Sequence, residues 1–209
     1  MNWNDYFNML IDWKKLPAYR AEPRIDSLVG FLLKPILENY LDVNIIGIIP
    51  ELPIRLGTVS PKLDEKKYAD RSYKVDFFAI GSNGFNYLIE LKTDSKSRRD
   101  KQDDYLIASK YVGTEKIING ILKIASVSRY KKKYSHLKDK LKEYGLLNER
   151  YAYSGINQSL EIVYVQPSNN KKEENVIDFD WIANWLESAH DPSSFESEFA
   201  KALRAWSKD

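Results

Sequence analysis

The chain has no cysteine and only two histidines among its 209 residues. It therefore has no disulfide framework and no thiolate zinc site, and zinc hydrolases built on histidine and cysteine ligands are disfavoured. Its longest apolar runs, such as residues 45–50, fall far short of the roughly 20 residues that span a bilayer, and the N-terminal sequence lacks the basic start of a signal peptide. We expect a cytoplasmic protein with no membrane partner.

The rest of the composition is that of an ordinary globular protein, with 43% hydrophobic and 30% charged residues. That balance excludes disordered and fibrous classes. At this length roughly 70% of the unfolded surface is buried on folding, so one complete core can form. No internal repeat and no linker rich in glycine, serine or proline divides the chain. We predict a single domain over residues 1–209, with its core at about 22–190 and a C-terminal helix at about 193–206.

The net charge of +2 hides an uneven distribution along the chain. Residues 91–150 carry 16 lysines and arginines against 8 aspartates and glutamates. This surplus indicates either a segment that faces a polyanion or a helix face that is solvated. Within it, Tyr130, Tyr134 and Tyr144 fall on one helical stripe, and most lysines lie off that stripe. The spacing favours a solvated lysine face over buried tyrosines; a nucleic-acid patch with stacking tyrosines is the alternative.

Hydrophobic periodicity in the first third of the chain predicts a helix followed by strands. The helix covers about Asp26 to Asn39, and Pro35 should kink or split it. Two β-branched stretches at 45–50 and 54–56 predict a strand with an interrupted or edge-like continuation. The charged segment 58–71 is predicted to be a loop.

The second half of the chain is mostly helical in its pattern. The last helix has Ser193 or Ser194 as its N-cap and Glu196 in its first turn. Together with the strands, these helices predict an α/β layer architecture. The predicted elements are helices at 102–111, 114–144, 180–187 and 193–206 and a strand at 160–165.

The clearest local signal is a β-hairpin. Strand-like runs at 73–80 and 85–91 are joined by a turn at 81–84 that is rich in residues tolerating positive φ. The second run is almost continuously apolar, which predicts burial on both faces. Glu90 lies within it, and a buried acid needs a partner or a metal.

Three chemically useful side chains are carried by this hairpin. Asp76 lies on the first strand, and Glu90 and Lys92 follow on the second, fourteen and sixteen positions later. Strand side chains alternate between faces, so Glu90 and Lys92 must project to the same side. Pairing through the turn is expected to bring Asp76 within reach of both.

This convergence has a direct chemical use. Asp76, Glu90 and the backbone carbonyl of Leu91 offer hard oxygen ligands suited to magnesium, for which manganese can substitute. The ion would polarise a phosphodiester and lower the pKa of a bound water. Lys92 would then orient or deprotonate that water, or neutralise charge that builds on the phosphate.

The pattern Asp76 followed by Glu90-x-Lys92 resembles the PD-(D/E)XK phosphodiesterase superfamily. Gln102 with Tyr105, at the start of the next helix, is similar to the Q-x-x-Y element of many members. The resemblance implies a restriction endonuclease-like three-layer fold, in which helices flank a central mixed β-sheet that carries these residues. It covers roughly residues 22–112 of this chain, with the strand at 160–165 as a later strand of the same sheet.

The resemblance also implies roles for residues outside the hairpin. Gln102 would lie near the metal and help to fix a water or a phosphate. An acidic ligand from the first helix would be Glu22 or Asp26, and we favour Asp26 because it begins the apolar periodicity. Contacts to the nucleic-acid backbone fix position without reading sequence. The loop residues expected to make them are Lys96, Arg98 and Arg99.

The resemblance therefore implies a metal-dependent nuclease that hydrolyses phosphodiester bonds, with DNA favoured over RNA. A hydrolase that acts on RNA or on a nucleotide is a second alternative. One active site per chain permits a homodimer that cuts both strands. The alternative is a non-catalytic nucleic-acid or protein binding module on the same fold, with the acidic C-terminal part as a partner surface.

Overall fold

The computed structural model describes residues 2–14, 22–60, 71–94, 100–169, 175–188 and 193–208. None of the helices in these ranges is long and apolar enough to cross a membrane. In chain order the elements are α1 Trp3–Lys14, α2 Glu22–Leu41, β1 Ile45–Arg55, α3 Leu56–Val59, β2 Ser72–Gly81, β3 Phe85–Leu91, α4 Asp100–Val127, α5 Lys131–Glu143, β4 Ser159–Gln166, β5 Val176–Asp178, α6 Phe179–Glu187 and α7 Ser194–Trp206.

The strands of the described residues form one mixed, open sheet in the order β1-β2-β3-β4-β5. β1 pairs with β2, and β2 with β3, in antiparallel fashion, whereas β4 and β5 are parallel. The predicted α/β class with a mixed sheet is thereby confirmed. β1 lies at an edge, where Pro50 and Pro53 are tolerated because one side of an edge strand donates nothing to the ladder.

The predicted hairpin is confirmed. Its ladder runs from the Phe77–Ile89 pair to the Ile80–Asn86 pair. Gly84 ends the turn with φ of 88°, a conformation that side chains with a Cβ rarely adopt. All residues of β3 except the first are buried, as its apolar run predicted.

The first predicted helix is longer than the sequence indicated. α2 starts at Glu22 rather than Asp26 and continues through Pro35 as one helix instead of two. Fully buried side chains lie both before and after the proline; the nearest ones are Leu33 and Ile36. Packing along this continuous apolar face offsets the backbone hydrogen bond that the proline removes.

The predicted helix at 114–144 is two helices. α4 ends at Val127 and α5 begins at Lys131, and the Tyr130 N–H donates to Ser128 Oγ across the break. α4 also contains a non-helical residue, Gly113, with φ of 78° and ψ of 169°. This kink lies in the gap between the predicted helices at 102–111 and 114–144. It falls at a glycine because only glycine readily adopts that conformation.

Other boundaries also differ from the sequence prediction. β1 is one strand rather than two pieces, and the short α3 occupies the start of the predicted loop, whose residues 61–70 lie outside the described chain. The predicted elements at 160–165, 180–187 and 193–206 are confirmed as β4, α6 and α7. The sequence analysis missed α1 and β5. The apolar residues Phe7 and Leu10, both buried, are three positions apart, and this helical spacing could have predicted α1.

The chain divides into two compact units by its internal contacts. The first comprises residues 1–40, 90–98 and 163–209, and the second comprises 41–89 and 99–162. The prediction of a single domain stays a prediction.

The first unit is built on aromatic packing between α1 and α7. Phe7 stacks on Phe199 with ring centroids 5.3 Å apart, and both rings are fully buried. The N-terminus of α7 has a complete capping box, in which Ser193 accepts from the Glu196 N–H and Glu196 accepts from the Ser193 N–H. Of the two serines left open by the sequence, Ser193 is the cap.

The second unit packs the hairpin against α4. The Asn86 side chain is completely buried on β3 and donates to Thr114 Oγ1 on α4 and to the Asn157 carbonyl, each at 3.0 Å. Because a buried amide is costly unless its hydrogen bonds are made, these contacts fix the position of α4 relative to β3.

Candidate functional site

The structure brings Glu90 and Lys92 together as an ion pair. The Lys92 ammonium donates to Glu90 Oε1 at the C-terminal end of β3. Both residues lie in the first unit, and they are 1% and 5% exposed. This confirms the expectation that the two side chains project to the same side, which follows from strand alternation.

Stability alone does not account for this pair. Moving a carboxylate and an ammonium out of water costs several kcal/mol per ion, by order of magnitude, and the attraction between them often only offsets that cost. Apart from Asn86, the preceding residues of β3 are apolar, so another apolar pair would continue the strand at lower cost. The buried pair is therefore a candidate functional site.

The backbone next to the pair is held by β4. The Lys92 N–H donates to the Val165 carbonyl at 2.8 Å, and Val165 is fully buried. Leu91, whose carbonyl is the predicted third ligand, is also buried as the last residue of β3. Lys92 is thus fixed at its backbone and at its ammonium, which limits the positions that its side chain can take.

Asp76 is placed on β2, in the second unit, with a half-buried side chain. It directly precedes Phe77, and Glu90 directly follows Ile89, the partner of Phe77 in the ladder. The proposed sharing of one ion by Asp76 and Glu90 remains a prediction.

Gln102 lies in the first turns of α4 and is half-buried. The start of α4 is tied to β2 by Tyr105, whose ring stacks on Tyr73 with centroids 5.1 Å apart. The Tyr73 hydroxyl also lies 2.6 Å from Ser109 Oγ. Tyr73 and Asp76 are three positions apart and so face opposite sides of β2, which means that this contact does not bring Gln102 to Asp76.

The described structure does not test the remaining predicted site residues. Asp26 is exposed in the second turn of α2, so it is not at the start of that helix as the sequence indicated. Its role as a metal ligand remains a prediction. The predicted nucleic-acid contacts Lys96, Arg98 and Arg99 lie outside the described residues.

The donor chemistry of the hairpin fits a hard divalent cation. Glu90 has two carboxylate oxygens and uses Oε1 for Lys92, so the ion pair is compatible with a ligand role. Carboxylate and carbonyl oxygens are the protein ligands that magnesium prefers. Among the residues that the structure describes, no group of three or more acidic or histidine side chains is arranged to hold a metal ion, so a set of Asp76, Glu90 and Asp26 remains a prediction.

Sequence reasoning missed a cleft in the second unit. It has a volume of about 610 Å³ and is lined by β1, by the start of β2 and by α5. The tyrosine stripe that we expected to be buried lines this cleft, and Tyr130 is 65% exposed. Burial raises the pKa of the half-buried Tyr134, while the nearby charge of Lys74 acts to lower it.

Comparison with protein-family models, with curated proteins and with solved structures finds no match to this chain.

Proposed function

We propose that this protein is a metal-dependent nuclease whose active site comprises Asp76, Glu90 and Lys92. The observation that carries the proposal is the buried ion pair of Glu90 and Lys92 at the end of β3. It gives a carboxylate and an ammonium fixed at the spacing of the E-x-K pattern. Asp76, on the partner strand of the hairpin, supplies the second carboxylate.

Each residue has a defined role in this proposal. Asp76, Glu90 and the Leu91 carbonyl hold a magnesium ion. When bound, the ion polarises the phosphodiester and lowers the pKa of a bound water. Lys92 places a positive charge where negative charge develops on the phosphate, and its burial strengthens that interaction because water does not screen it. Gln102 is proposed to fix a water or a phosphate. Asp26 is proposed to supply an additional carboxylate to the metal.

The proposal includes the restriction endonuclease-like arrangement of the sheet. The confirmed hairpin, the helix that precedes it and the helix that follows it support this arrangement. We further propose that Lys96, Arg98 and Arg99 contact the phosphate backbone, and that DNA is the substrate rather than RNA.

A cleavage assay tests the proposal. Labelled plasmid, linear duplex, single-stranded DNA and RNA are incubated with the full chain and magnesium or manganese. We expect metal-dependent cutting by wild type. Glu90→Gln removes a metal ligand, and Lys92→Met removes a charge that stabilises the transition state. Each should lower the rate by about 100-fold or more, since loss of one stabilising charge has effects of this size.

Lys110→Met is the matched control, because it removes an exposed lysine whose partner Glu161 lies 2.7 Å away. It is expected to cut like wild type. The proposal fails if wild type binds nucleic acid without cutting it, or if the Glu90 and Lys92 variants cut as well as the control. The first result would favour the non-catalytic binding module.

A further inference from the structure

The cleft between β1 and α5 presents aromatic rings at its surface. Tyr130, Tyr134 and Tyr144 line it from one side. Tyr144 is seated against Gly47 of β1, where an added Cβ would lie 2.5 Å from the ring. Only glycine permits this approach, and Tyr130, at the other end of the stripe, is left largely exposed. Tyr134 and Tyr144 are half-buried, so the stripe forms a partly accessible wall with Tyr130 as its exposed end.

The same wall carries positive charge. The charged side chains that line the cleft are Lys74, Lys133, Lys140 and Glu51, together with His136. Lys74 pairs with Glu51, and Lys140 pairs with Glu143 at 2.7 Å. Among the described residues, Lys133 has no ion-pair partner; its ammonium lies 5.8 Å from the centroid of the Tyr130 ring.

The surrounding sequence reinforces this charge. Residues 129–142, which include all of α5 except its last residue, contain seven lysines and arginines and one acidic residue. A cleft with the exposed ring of Tyr130 beside the unpaired charge of Lys133 is complementary to a polyanion that also offers flat aromatic faces. A nucleic-acid duplex hides its bases within the stack, whereas a single strand exposes them.

We propose that this cleft binds single-stranded nucleic acid, with a base stacked on Tyr130 and a phosphate beside Lys133. Bases stack on tyrosine regardless of sequence, and lysine neutralises the backbone. Binding is therefore expected to depend on strandedness and salt and to show little sequence preference.

The cleft also has a defined relation to one residue of the proposed active site. Ser72 and Lys74 line it from β2, and Asp76 is the next residue on the same strand face, about 6.6 to 6.8 Å further along. A nucleic-acid strand bound in the cleft can thus extend toward Asp76. This makes a single-stranded segment the substrate of the proposed hydrolysis, a point that rests on the proposed function, whereas binding itself does not.

Fluorescence anisotropy of a labelled 20-nucleotide oligothymidylate tests the inference. The full chain is titrated in EDTA, so that binding is measured without metal or cleavage. Tyr130→Ala should weaken binding about tenfold, the effect of losing one base stack. Lys133→Gln should weaken binding and reduce the slope of log affinity against log salt by about 0.7.

The controls remove the same side chains elsewhere on the second unit. Tyr111→Ala deletes an 86% exposed tyrosine of α4, and Lys123→Gln an exposed lysine of the same helix; neither lines the cleft. Both are expected to bind like wild type. Since Tyr130 is itself exposed, its replacement should leave the fold intact, which circular dichroism checks.

Three outcomes would overturn the inference. These are equal affinity for a duplex of the same length, equal binding by Tyr130→Ala and Tyr111→Ala, and displacement of the oligonucleotide by thymidine monophosphate at an equal phosphate concentration. The last would assign the cleft to free nucleotides. Parallel cleavage assays separate the two proposals. Binding of the oligonucleotide in EDTA without cutting in magnesium would support binding by the cleft and reject the nuclease. Cutting in magnesium without binding by the cleft would reject the cleft proposal alone.

Discussion

Glu90 and Lys92 lie two positions apart and project to the same side at the end of β3, beside the buried apolar residues Ile89 and Leu91. Each makes the burial of the other tolerable, so the two side chains act as a unit. Lys110 and Glu161 form an ion pair of the same residue types at the surface, where water screens both charges. The comparison isolates what burial does to an ion pair.

Removing one member of the buried pair should be costly. Lys92→Met leaves the Glu90 carboxylate buried without its ammonium, and we expect the free energy of unfolding to fall by about 3 to 5 kcal/mol. Lys110→Met at the surface should cost about 0 to 1 kcal/mol. Urea denaturation measures both values.

The double variant Glu90→Leu with Lys92→Met completes this test. Replacing both charges with apolar residues should recover most of the lost stability, yet cleavage should stay abolished. A double variant as unstable as Lys92→Met alone would contradict the view that the pair is maintained for its chemistry.

At the scale of single elements, local patterns were the most reliable guide. The hairpin was predictable because alternation, the apolar run and the turn at 81–84 all involve neighbours in sequence. Pro35 was misleading because the buried face of α2, not local propensity, keeps that helix continuous. The cleft was not predictable, since it depends on β1 and α5, which are about 80 residues apart in sequence.

The capping box of α7 gives a prediction at this scale. Ser193→Ala removes the side chain that accepts from the Glu196 N–H and should lower the free energy of unfolding by about 1 kcal/mol. Ser194→Ala, one residue into the helix, is the control and should cost much less. Equal losses in urea denaturation would show that the choice of Ser193 as cap is wrong.

At the scale of the whole molecule, the sequence predicted the α/β class of the fold and the common side of Glu90 and Lys92, whereas the predicted magnesium site stays a prediction. Alternation placed Glu90 and Lys92 on one side of the strand, and their ion pair confirms it. Charge counts located the basic middle of the chain, and α5 carries much of that charge. Which residues share an ion depends on sub-ångström placement of side chains, which no sequence pattern specifies.

The central claim is that Asp76 and Glu90 hold one divalent cation. The most direct test is the melting temperature of the chain with and without manganese, with sodium chloride at matched ionic strength as the reference. At a manganese concentration 100 times its Kd, binding stabilises by about 2.7 kcal/mol, which for a chain of this size corresponds to roughly 5 to 10 °C. We expect that shift in wild type and in Glu161→Gln, a control that alters a half-buried carboxylate paired with Lys110, and its loss in both Asp76→Asn and Glu90→Gln. An unchanged wild-type melting temperature, or an equal shift in all four proteins, would contradict the claim.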